Sequence, residues 1–386
     1  MPEPAPRTLY KLSDEQELIR RTVRDFAARH VAPIAAEIDR EKRFPIENVK
    51  RLADLGLMGM LVPPEYGGSG ADSVSYALTI EELSRVCASH GVITSVNNSL
   101  CAYPISVFGT DEQKARFLPA LCNGEGLGAY ALSEPNAGSD PASMRSTAEK
   151  KGDSFVLNGQ KNFITNGGHA TTYIYFAKTD PTERHKGVTA FLIEKGMDGF
   201  TWSEPESKMG IRAAHSVQLF LDNVEVPEEH VLGKVGGGFT VAMKVLDGGR
   251  IGIGSQALGI AQACVDASVE YAKEREQFGR PIADFQAIRF KLADMAMRTE
   301  AARNLVYKAA AMKDAGEDFS QTASMAKLFA SEAAMKNAIE AVQVHGGNGY
   351  TTDYPVERYM RDAKITEIYE GTSEVQRIVI AKNLLK

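Results

Sequence analysis

Residues 153–168 read DSFVLNGQKNFITNGG, and this stretch decides the fold because it places β-strand residues in the middle of an otherwise helical chain. Two β-rich runs flank Asn158-Gly159, a dipeptide that favours the type I′ turn of a two-residue hairpin. We therefore predict a hairpin that turns at Asn158-Gly159. Phe163 and Thr165 are two residues apart, so their side chains should point to the same side of a strand.

Three further segments are rich in β-branched and aromatic residues, as β-strands are. They are TTYIYFAKT (171–179), GVTAFLIEK (187–195) and HSVQLFLDNVEVP (215–227). Together with the opening stretch they predict a β-domain of about 100 residues, which we place at residues 126–235.

Helical patterns flank this β-domain on both sides. Near the N-terminus, Ser13 and Gln16 have the spacing of a capping box, with apolar residues at helical intervals behind them. After the β-domain, a row of residues spaced by three and four predicts the seam of a helix bundle: Phe285, Ile288, Leu292, Met295, Thr299, Ala302 and Val306. Glycine and proline breaks divide this last region into about four helices.

The order of these patterns predicts an α+β fold with three domains. We expect an N-terminal helical domain at residues 1–125, a middle β-barrel or sandwich domain at 126–235, and a C-terminal four-helix bundle at 236–386. A chain of 386 residues is long enough for two or three such units.

The bulk composition excludes several classes of function. The net charge of −6 does not favour nucleic-acid binding, which needs a basic face. No apolar run approaches the ~18 residues of a membrane span. The first residues, MPEPAPRTLYKLSDEQ, lack the features of a signal or transit peptide. We expect a cytoplasmic location, although a processed mitochondrial matrix protein would have the same composition.

The common metal and nucleophile motifs are absent from the sequence. The four cysteines are far apart, the seven histidines form no H-x-x-x-H pair, and there is no G-x-S-x-G elbow, so we expect no metal site. Gly252, Gly254 and Ala257 fit the dinucleotide pattern G-x-G-x-x-A. Their surroundings are helical, however, and that pattern requires a preceding strand. Close packing of helices is the better interpretation.

Two stretches of the β-domain combine residues that suit a planar heterocyclic cofactor. YALSEPNAGSD (130–140) compresses hydroxyl and carboxyl side chains into a turn, and KNFITNGG (161–168) carries the aromatic Phe163 and the hydroxyl of Thr165. An aromatic ring can stack on such a cofactor, and hydroxyls can bond its heteroatoms. Each stretch alone would also be an ordinary hydrogen-bonded turn.

Three features of the C-terminal region each have two interpretations. Arg275, near a helix end, could bind a pyrophosphate or be a solvated cation. The glycines of QVHGGNGY (343–350) allow close backbone approach or form a helix cap. Glu370 precedes a helix that we expect to start with a capping box from Ser373 to Gln376. It could complement the helix dipole or serve as a base.

Five motifs in this order resemble those of the acyl-CoA dehydrogenases, from Leu9 to the C-terminus: YALSEPNAGSD, KNFITNGG, EREQFGRPI, QVHGGNGY and IYEGTSEVQR. The resemblance is greatest to the short-chain, butyryl-CoA type. It implies an enzyme that binds FAD non-covalently between the β-domain and the C-terminal helices.

The resemblance also implies roles for individual residues. The residues expected to bind FAD are Tyr130, Leu132, Ser133, Ser139, Phe163, Thr165, Arg275, Phe278, Gln286, Gln343, Gly346, Gly347, Thr372 and Glu374. Those expected to contact the acyl-CoA substrate are Ser139, Asp247, Arg250 and Gly371. Arg275, Phe278, Gln286 and the 343–347 stretch match residues that reach the FAD of a neighbouring subunit, so a homotetramer is implied.

Members of the family carry their catalytic base in one of two places. One corresponds to Gly249, which has no carboxylate, and the other to Glu370. Glu370 is therefore the expected base, and its apolar neighbours Ile368 and Tyr369 should raise its pKa. The resemblance implies that Glu370 removes the α-proton of the thioester. It also implies that the Glu370 backbone N–H and a flavin ribityl hydroxyl hold the thioester oxygen, and that flavin N5 accepts the β-hydride, which gives a trans-2-enoyl-CoA.

Two residues bear on the length of the acyl chain, and they point in different directions. Thr366 matches the short-chain type, whereas Lys244 stands where that type often has glutamine at the floor of the acyl pocket. The expected electron acceptor is electron-transfer flavoprotein. The alternatives are an acyl-CoA oxidase, whose usual length exceeds that of this chain, and a redox-silent scaffold, which would be expected to lose Glu370.

Overall fold

A computed structural model describes residues 11–386 and shows a β-sheet domain between two helical regions, which confirms the predicted architecture. Leu9, where the resemblance begins, lies outside the described residues. The described part of the N-terminal region contains helices α1 (Asp14–Phe26), α2 (Ala35–Glu41), α3 (Ile46–Asp54), α4 (Ser73–Val86), α5 (Ala88–Ser95), α6 (Tyr103–Phe108) and α7 (Asp111–Asn123). A π-helical segment, Val96–Ala102, joins α5 to α6.

The first helix begins at the predicted capping box. The Ser13 hydroxyl accepts a hydrogen bond from the Gln16 backbone N–H at 3.1 Å, and the Gln16 side chain accepts one from the Ser13 N–H at 3.0 Å. Each bond satisfies a backbone donor that the helix itself leaves unpaired. This prediction is therefore confirmed.

The middle domain is one curled sheet that consists of β1 (Gly128–Ala131), β2 (Thr147–Lys151), β3 (Ser154–Thr165), β4 (Thr172–Lys178), β5 (Val188–Glu194), β6 (Phe200–Trp202) and β7 (Ser216–Pro227). The strand order is β1-β4-β2-β3-β7-β6, and β5 pairs with β4. Side chains of β4 are buried on both faces of the sheet. Tyr173 and Tyr175 join a core inside the sheet, whereas Ile174 and Phe176 join the core that the helices form. The sheet is thus anchored to both helical regions.

The predicted hairpin at Asn158-Gly159 is wrong. β3 continues through this dipeptide with a register shift against β7, and the turn lies at Gly152, between β2 and β3. Asn158 bonds Asn223 across the sheet, where its side-chain oxygen accepts the Asn223 N–H at 2.8 Å. A Cβ at position 159 would lie 2.2 Å from Ser146 Oγ, so the glycine permits close strand packing instead of a turn.

The C-terminal region contains five helices in residues 236–386, one more than predicted. They are α8 (Gly238–Glu274), α9 (Gln286–Asp314), α10 (Ser320–His345), α11 (Val356–Thr366) and α12 (Ser373–Leu384), with a short ribbon of β8 (Glu276–Gln277) and β9 (Arg280–Pro281) after α8. The additional break, between α11 and α12, is the loop that contains Glu370.

The longest helix, α8, contains the glycines that resemble a dinucleotide motif. Gly252 and Gly254 lie inside this helix of 37 residues, which confirms that the resemblance is false. A Cβ at Gly252 would lie 2.4 Å from the Tyr76 hydroxyl on α4, so the glycine lets the two helices approach closely. Neither α8 nor any other helix among residues 11–386 is long and apolar enough to cross a membrane.

Candidate active site

Glu370 lies in a tightly turned loop between α11 and α12. Its φ of 51° and the φ of 93° at Gly371 place two consecutive residues in the left-handed region. For a residue with a Cβ this conformation costs on the order of 1–3 kcal/mol, and it persists only where the surroundings impose it. Here the Ser373 N–H donates to the Glu367 carbonyl at 3.0 Å and closes the loop.

The start of α12 differs from the predicted capping box. The N-cap is Thr372, whose hydroxyl accepts from the Val375 N–H at 3.3 Å, and not Ser373. The Gln376 side chain turns back to the loop and donates to the Gly371 carbonyl at 2.9 Å. The box pattern fails because Gln376 is used to hold the Glu370 loop.

The Glu370 side chain is half-buried, and one oxygen of its carboxyl group is enclosed without a hydrogen-bond partner in the described part of the chain. Its Oε2 atom is inaccessible to solvent and has no hydrogen-bond partner among residues 11–386. Burial raises the pKa of this carboxyl to about 7, although the charges of Lys327 and Arg250 act in the opposite direction. The predicted direction of this shift is confirmed. A carboxylate with such a pKa can take up a proton near neutral pH.

The glycine at the alternative base position faces the same carboxyl group. A Cβ at Gly249, on α8, would lie 2.2 Å from Glu370 Oε2 and 3.0 Å from Leu100 Cδ2. The Glu370 side chain therefore fills the space that a side chain at position 249 would need. A side chain at position 249 would therefore reach the same point in the molecule as the Glu370 carboxyl group.

Two buried cations approach the Glu370 loop from α8 and α10. Arg250 is buried and donates to Asp247, which also accepts from the Ser320 hydroxyl at 2.9 Å. Lys327 is fully buried and donates to the Gly371 carbonyl at 2.6 Å. Of these groups, the sequence analysis included Asp247 and Arg250 but missed Lys327.

A polar side chain that the sequence analysis did not select contacts Tyr369. The Tyr369 hydroxyl donates to the side-chain oxygen of buried Gln256, whose amide nitrogen donates to the Ala88 carbonyl at 2.9 Å. Lys244, in contrast, is exposed, and its ammonium lies 5.9 Å from the ring centre of Phe108. The correspondence of Lys244 to a residue at the floor of the acyl pocket stays a prediction.

The predicted cofactor residues of the β-domain lie on β1, β3 and the adjoining loops. Ile164 is buried in the sheet core, whereas Phe163 is 69% exposed and Thr165 is half-buried, so both face away from that core. The hydroxyls of Ser133, Ser139 and Thr165 bond no other group among residues 11–386. Tyr130 lies closer to the C-terminal helices, and its hydroxyl donates to the Ala242 carbonyl of α8 at 3.5 Å.

A second group of predicted cofactor residues lies at the far end of α8. Arg275 follows the last residue of α8, about 39 Å from Gly249 at the helical rise of ~1.5 Å per residue. Tyr271 stacks on His345 with ring centres 4.2 Å apart, which brings the ends of α8 and α10 together. This end of the molecule holds Arg275, Phe278, Gln286, Gln343, Gly346 and Gly347. Glu370, Thr372 and Glu374 lie elsewhere, around the start of α12.

Arg275 and Phe278 are exposed at this far end. Within residues 11–386 the Arg275 guanidinium has no ion-pair or hydrogen-bond partner. Phe278 is 94% exposed and has a φ of 53°. An aromatic ring and a guanidinium that are presented outward can stack on and pair with a ligand bound mainly by another chain. These residues and the free hydroxyls of the β-domain therefore have the chemistry to hold a dinucleotide.

Comparison with known families assigns most of the described chain. The models that match are those of the acyl-CoA dehydrogenase N-terminal domain at residues 13–125, the middle domain at 129–224 and the C-terminal domain at 236–385. Among curated relatives, a short-chain specific acyl-CoA dehydrogenase of Clostridium acetobutylicum is 52% identical over 98% of this chain and 100% of its own.

Solved structures give the same result. The chain is similar to butyryl-CoA dehydrogenase of Megasphaera elsdenii, with a TM-score of 0.96 and 48% identity over 98% of this chain and 100% of that one. A chain from the electron transferring flavoprotein study of Acidaminococcus fermentans gives a TM-score of 0.97 and 48% identity over 98% and 99%. The prolyl acyl carrier protein oxidase AnaB gives 0.93 and 37% over 97% and 100%. The chain belongs to the acyl-CoA dehydrogenase family.

Proposed function

We propose that this protein is an FAD-dependent dehydrogenase that converts a short-chain acyl-CoA to the trans-2-enoyl-CoA, with Glu370 as the base. The observation that carries this proposal is the Glu370 carboxyl, whose Oε2 atom is buried without a partner among residues 11–386 and whose pKa is raised to about 7. A carboxylate that merely complements a helix dipole would be solvated and would keep a low pKa. The base interpretation of Glu370 is therefore preferred.

The protein groups of the site are arranged for proton removal from carbon. Ionised Glu370 takes the α-proton of the thioester, while the negative charge that develops on the thioester oxygen requires hydrogen-bond donors. The Glu370 backbone N–H donates to no acceptor among residues 11–386, so it is available for that oxygen. The left-handed conformation of Glu370 thus presents a base and an oxyanion donor from one residue.

Bound FAD would accept the hydride from the β-carbon. The residues that would hold its ring system are Tyr130, Leu132, Ser133, Ser139, Phe163 and Thr165, and the adenylate half would contact Thr372 and Glu374. Two residues of β3 fix the backbone of this site. Lys161 Nζ donates to the Leu132 carbonyl at 3.1 Å, and the Asn162 N–H donates to the Ser133 carbonyl at 2.9 Å. The exposed Arg275 and Phe278 would complete the site of a neighbouring chain in a homotetramer.

The acyl-CoA substrate would enter beside the base. We assign its contacts to Ser139, Asp247, Arg250 and Gly371, of which Asp247 and Arg250 form a pair on α8 next to Gly249. We propose a short acyl chain because buried Thr366 stands where the resemblance to the short-chain type places a threonine. The two relatives whose names specify short-chain and butyryl-CoA substrates support the same choice.

Electron-transfer flavoprotein is the proposed electron acceptor, and oxygen is the second candidate. The expected greater length of oxidases argues against this candidate. The oxidase AnaB, however, matches this chain over the whole of its own length, which removes that argument. Oxygen consumption and reduction of electron-transfer flavoprotein should therefore be measured side by side. Faster turnover with oxygen would favour the oxidase.

The experiment that tests the proposal is anaerobic titration of the purified protein with butyryl-CoA. The wild-type protein should be yellow and should bleach. Glu370→Gln should retain FAD and bind the CoA ester, but it should not bleach, because an amide cannot accept the α-proton. Near-normal bleaching of Glu370→Gln would refute the assignment of the base, and a protein that takes up no FAD would refute the flavoenzyme.

A further inference from the structure

We propose that Lys327 is a positioning residue for the Glu370 base, because its ammonium group both holds the loop that carries the carboxylate and sets the pH range in which that carboxylate can accept a proton. The inference rests on the proposed function of Glu370. It concerns a residue on α10 that lies outside all five sequence motifs.

The first step of the argument is geometric. The Gly371 carbonyl, which directly follows Glu370, accepts hydrogen bonds from Lys327 Nζ at 2.6 Å and from Gln376 Nε2 at 2.9 Å. Two donors from two helices therefore fix the peptide group that joins Gly371 to Thr372, directly after the two left-handed residues. Loss of the shorter bond would free the loop on the side that faces α10.

The second step concerns the charges that surround the carboxyl group. Lys327 from α10 and Arg250 from α8 favour the ionised form of Glu370. Arg250 is already paired with Asp247, whereas Lys327 has no paired carboxylate within 4 Å among the described residues. The tyrosines that face this region remain neutral because burial raises the pKa of each of them: Tyr76, Tyr130 and Tyr369.

The third step concerns the charge state of Lys327 itself. Burial lowers its pKa to about 8, while Glu370, Glu367 and Glu374 favour its charged form and Arg250 opposes it. Because about 8 lies above the pKa of about 7 at Glu370, Lys327 is largely charged where the base loses its proton. Burial of a charged ammonium group is costly unless the charge interacts with other groups, so a charged Lys327 in a fully buried position indicates more than space filling.

Three substitutions separate the charge from the hydrogen bond. Lys327→Met removes both, Lys327→Gln keeps a donor without the charge, and Lys327→Arg keeps both. Lys208→Met is the matched control, because Lys208 also has a pKa lowered to about 8 and donates to a backbone carbonyl, that of Ala214, at 2.8 Å. The rate of anaerobic FAD reduction by butyryl-CoA is measured in each holoenzyme between pH 5.5 and 9.

Removal of the positive charge should move the midpoint of the pH profile upward. A nearby opposite charge typically lowers a carboxyl pKa by ~1–3 units, so Lys327→Met and Lys327→Gln should shift the midpoint by about one unit or more. Lys327→Arg and Lys208→Met should keep the wild-type midpoint. An unchanged midpoint in Lys327→Met, or an equal shift in Lys208→Met, would overturn the inference.

A direct titration of Glu370 separates this inference from the proposed function. Infrared difference spectra against pH report the protonated carboxyl, and Glu370→Gln identifies its band by loss. The band should titrate at higher pH in Lys327→Met than in the wild-type protein. If butyryl-CoA fails to reduce the wild-type FAD, the proposed function fails, while the infrared midpoints still decide the role of Lys327. Equal infrared midpoints would refute that role.

Discussion

Replacement of Gly249 by alanine should slow FAD reduction about 100-fold without unfolding the protein. The new Cβ would lie 2.2 Å from Glu370 Oε2, and real Cβ atoms essentially never approach another heavy atom within 3.0 Å. The carboxyl group must therefore move by about 0.8 Å or more. A misplacement of ~1 Å at a reacting group can cost ~100-fold in rate, which corresponds to about 2.7 kcal/mol.

The fold should tolerate this substitution because alanine is favoured over glycine inside a helix by ~1 kcal/mol. Gly254→Ala, in the same helix, is the control, because its Cβ would meet the tip of the Val306 side chain at 3.2 Å and the Lys327 backbone at 3.6 Å, an ordinary van der Waals distance. Stopped-flow reduction by butyryl-CoA at saturating concentration gives the rate, and flavin absorbance gives the FAD content. A Gly249→Ala rate within threefold of the wild-type rate would refute the claimed contact between Gly249 and the base.

Three further predictions follow from the charges and contacts of single residues. First, because burial raises the Glu370 pKa to about 7 and only the ionised form accepts a proton, the reduction rate should fall about tenfold per pH unit below pH 7; a flat profile from pH 5.5 to 8 would contradict this. Second, Lys161→Met leaves Glu134, its buried partner at 2.8 Å, without a counter-ion, and should lower the free energy of unfolding by about 3–5 kcal/mol in urea titrations; a loss below about 1 kcal/mol would exclude a stabilising pair. Third, Arg275→Ala should release FAD during gel filtration while circular dichroism stays unchanged. Lys273→Ala, two residues earlier in the last turn of α8, should retain FAD. Equal retention by both variants would remove Arg275 from the cofactor site.

Elements with a strong local period were predictable from the sequence. The segments assigned to β4, β5 and β7 differ from the observed strands by about one residue at each end, because apolar β-branched and aromatic runs reflect burial within a sheet. The turn at Asn158-Gly159 was not predictable in the same way. Its dipeptide favours a hairpin locally, but contacts with Ser146 and Asn223, distant in sequence, keep the chain extended.

The candidate site was predictable only where it coincides with a motif. Glu370 stands in such a motif, whereas Lys327 lies in an alanine-rich helix where a lysine is ordinarily solvated. A signal was nevertheless present, because Ala323, Lys327, Ala330 and Ala334 recur at helical spacing and so share one buried face. A lysine within such a small-residue stripe indicates a buried charge, but only the structure identifies the Gly371 carbonyl as its partner.

The continuous helix α8 has a consequence for mixed assemblies. It fixes Gly249, beside a chain's own base, and Arg275, which we assign to a neighbour's cofactor, about 39 Å apart on one rigid element. Each chain would then contribute to two different catalytic centres. When an E370Q chain pairs with an R275A chain, one centre contains both defects and the other contains neither. Two inactive preparations should therefore regain activity when their subunits are exchanged, a form of complementation that is impossible if every centre belongs to a single chain.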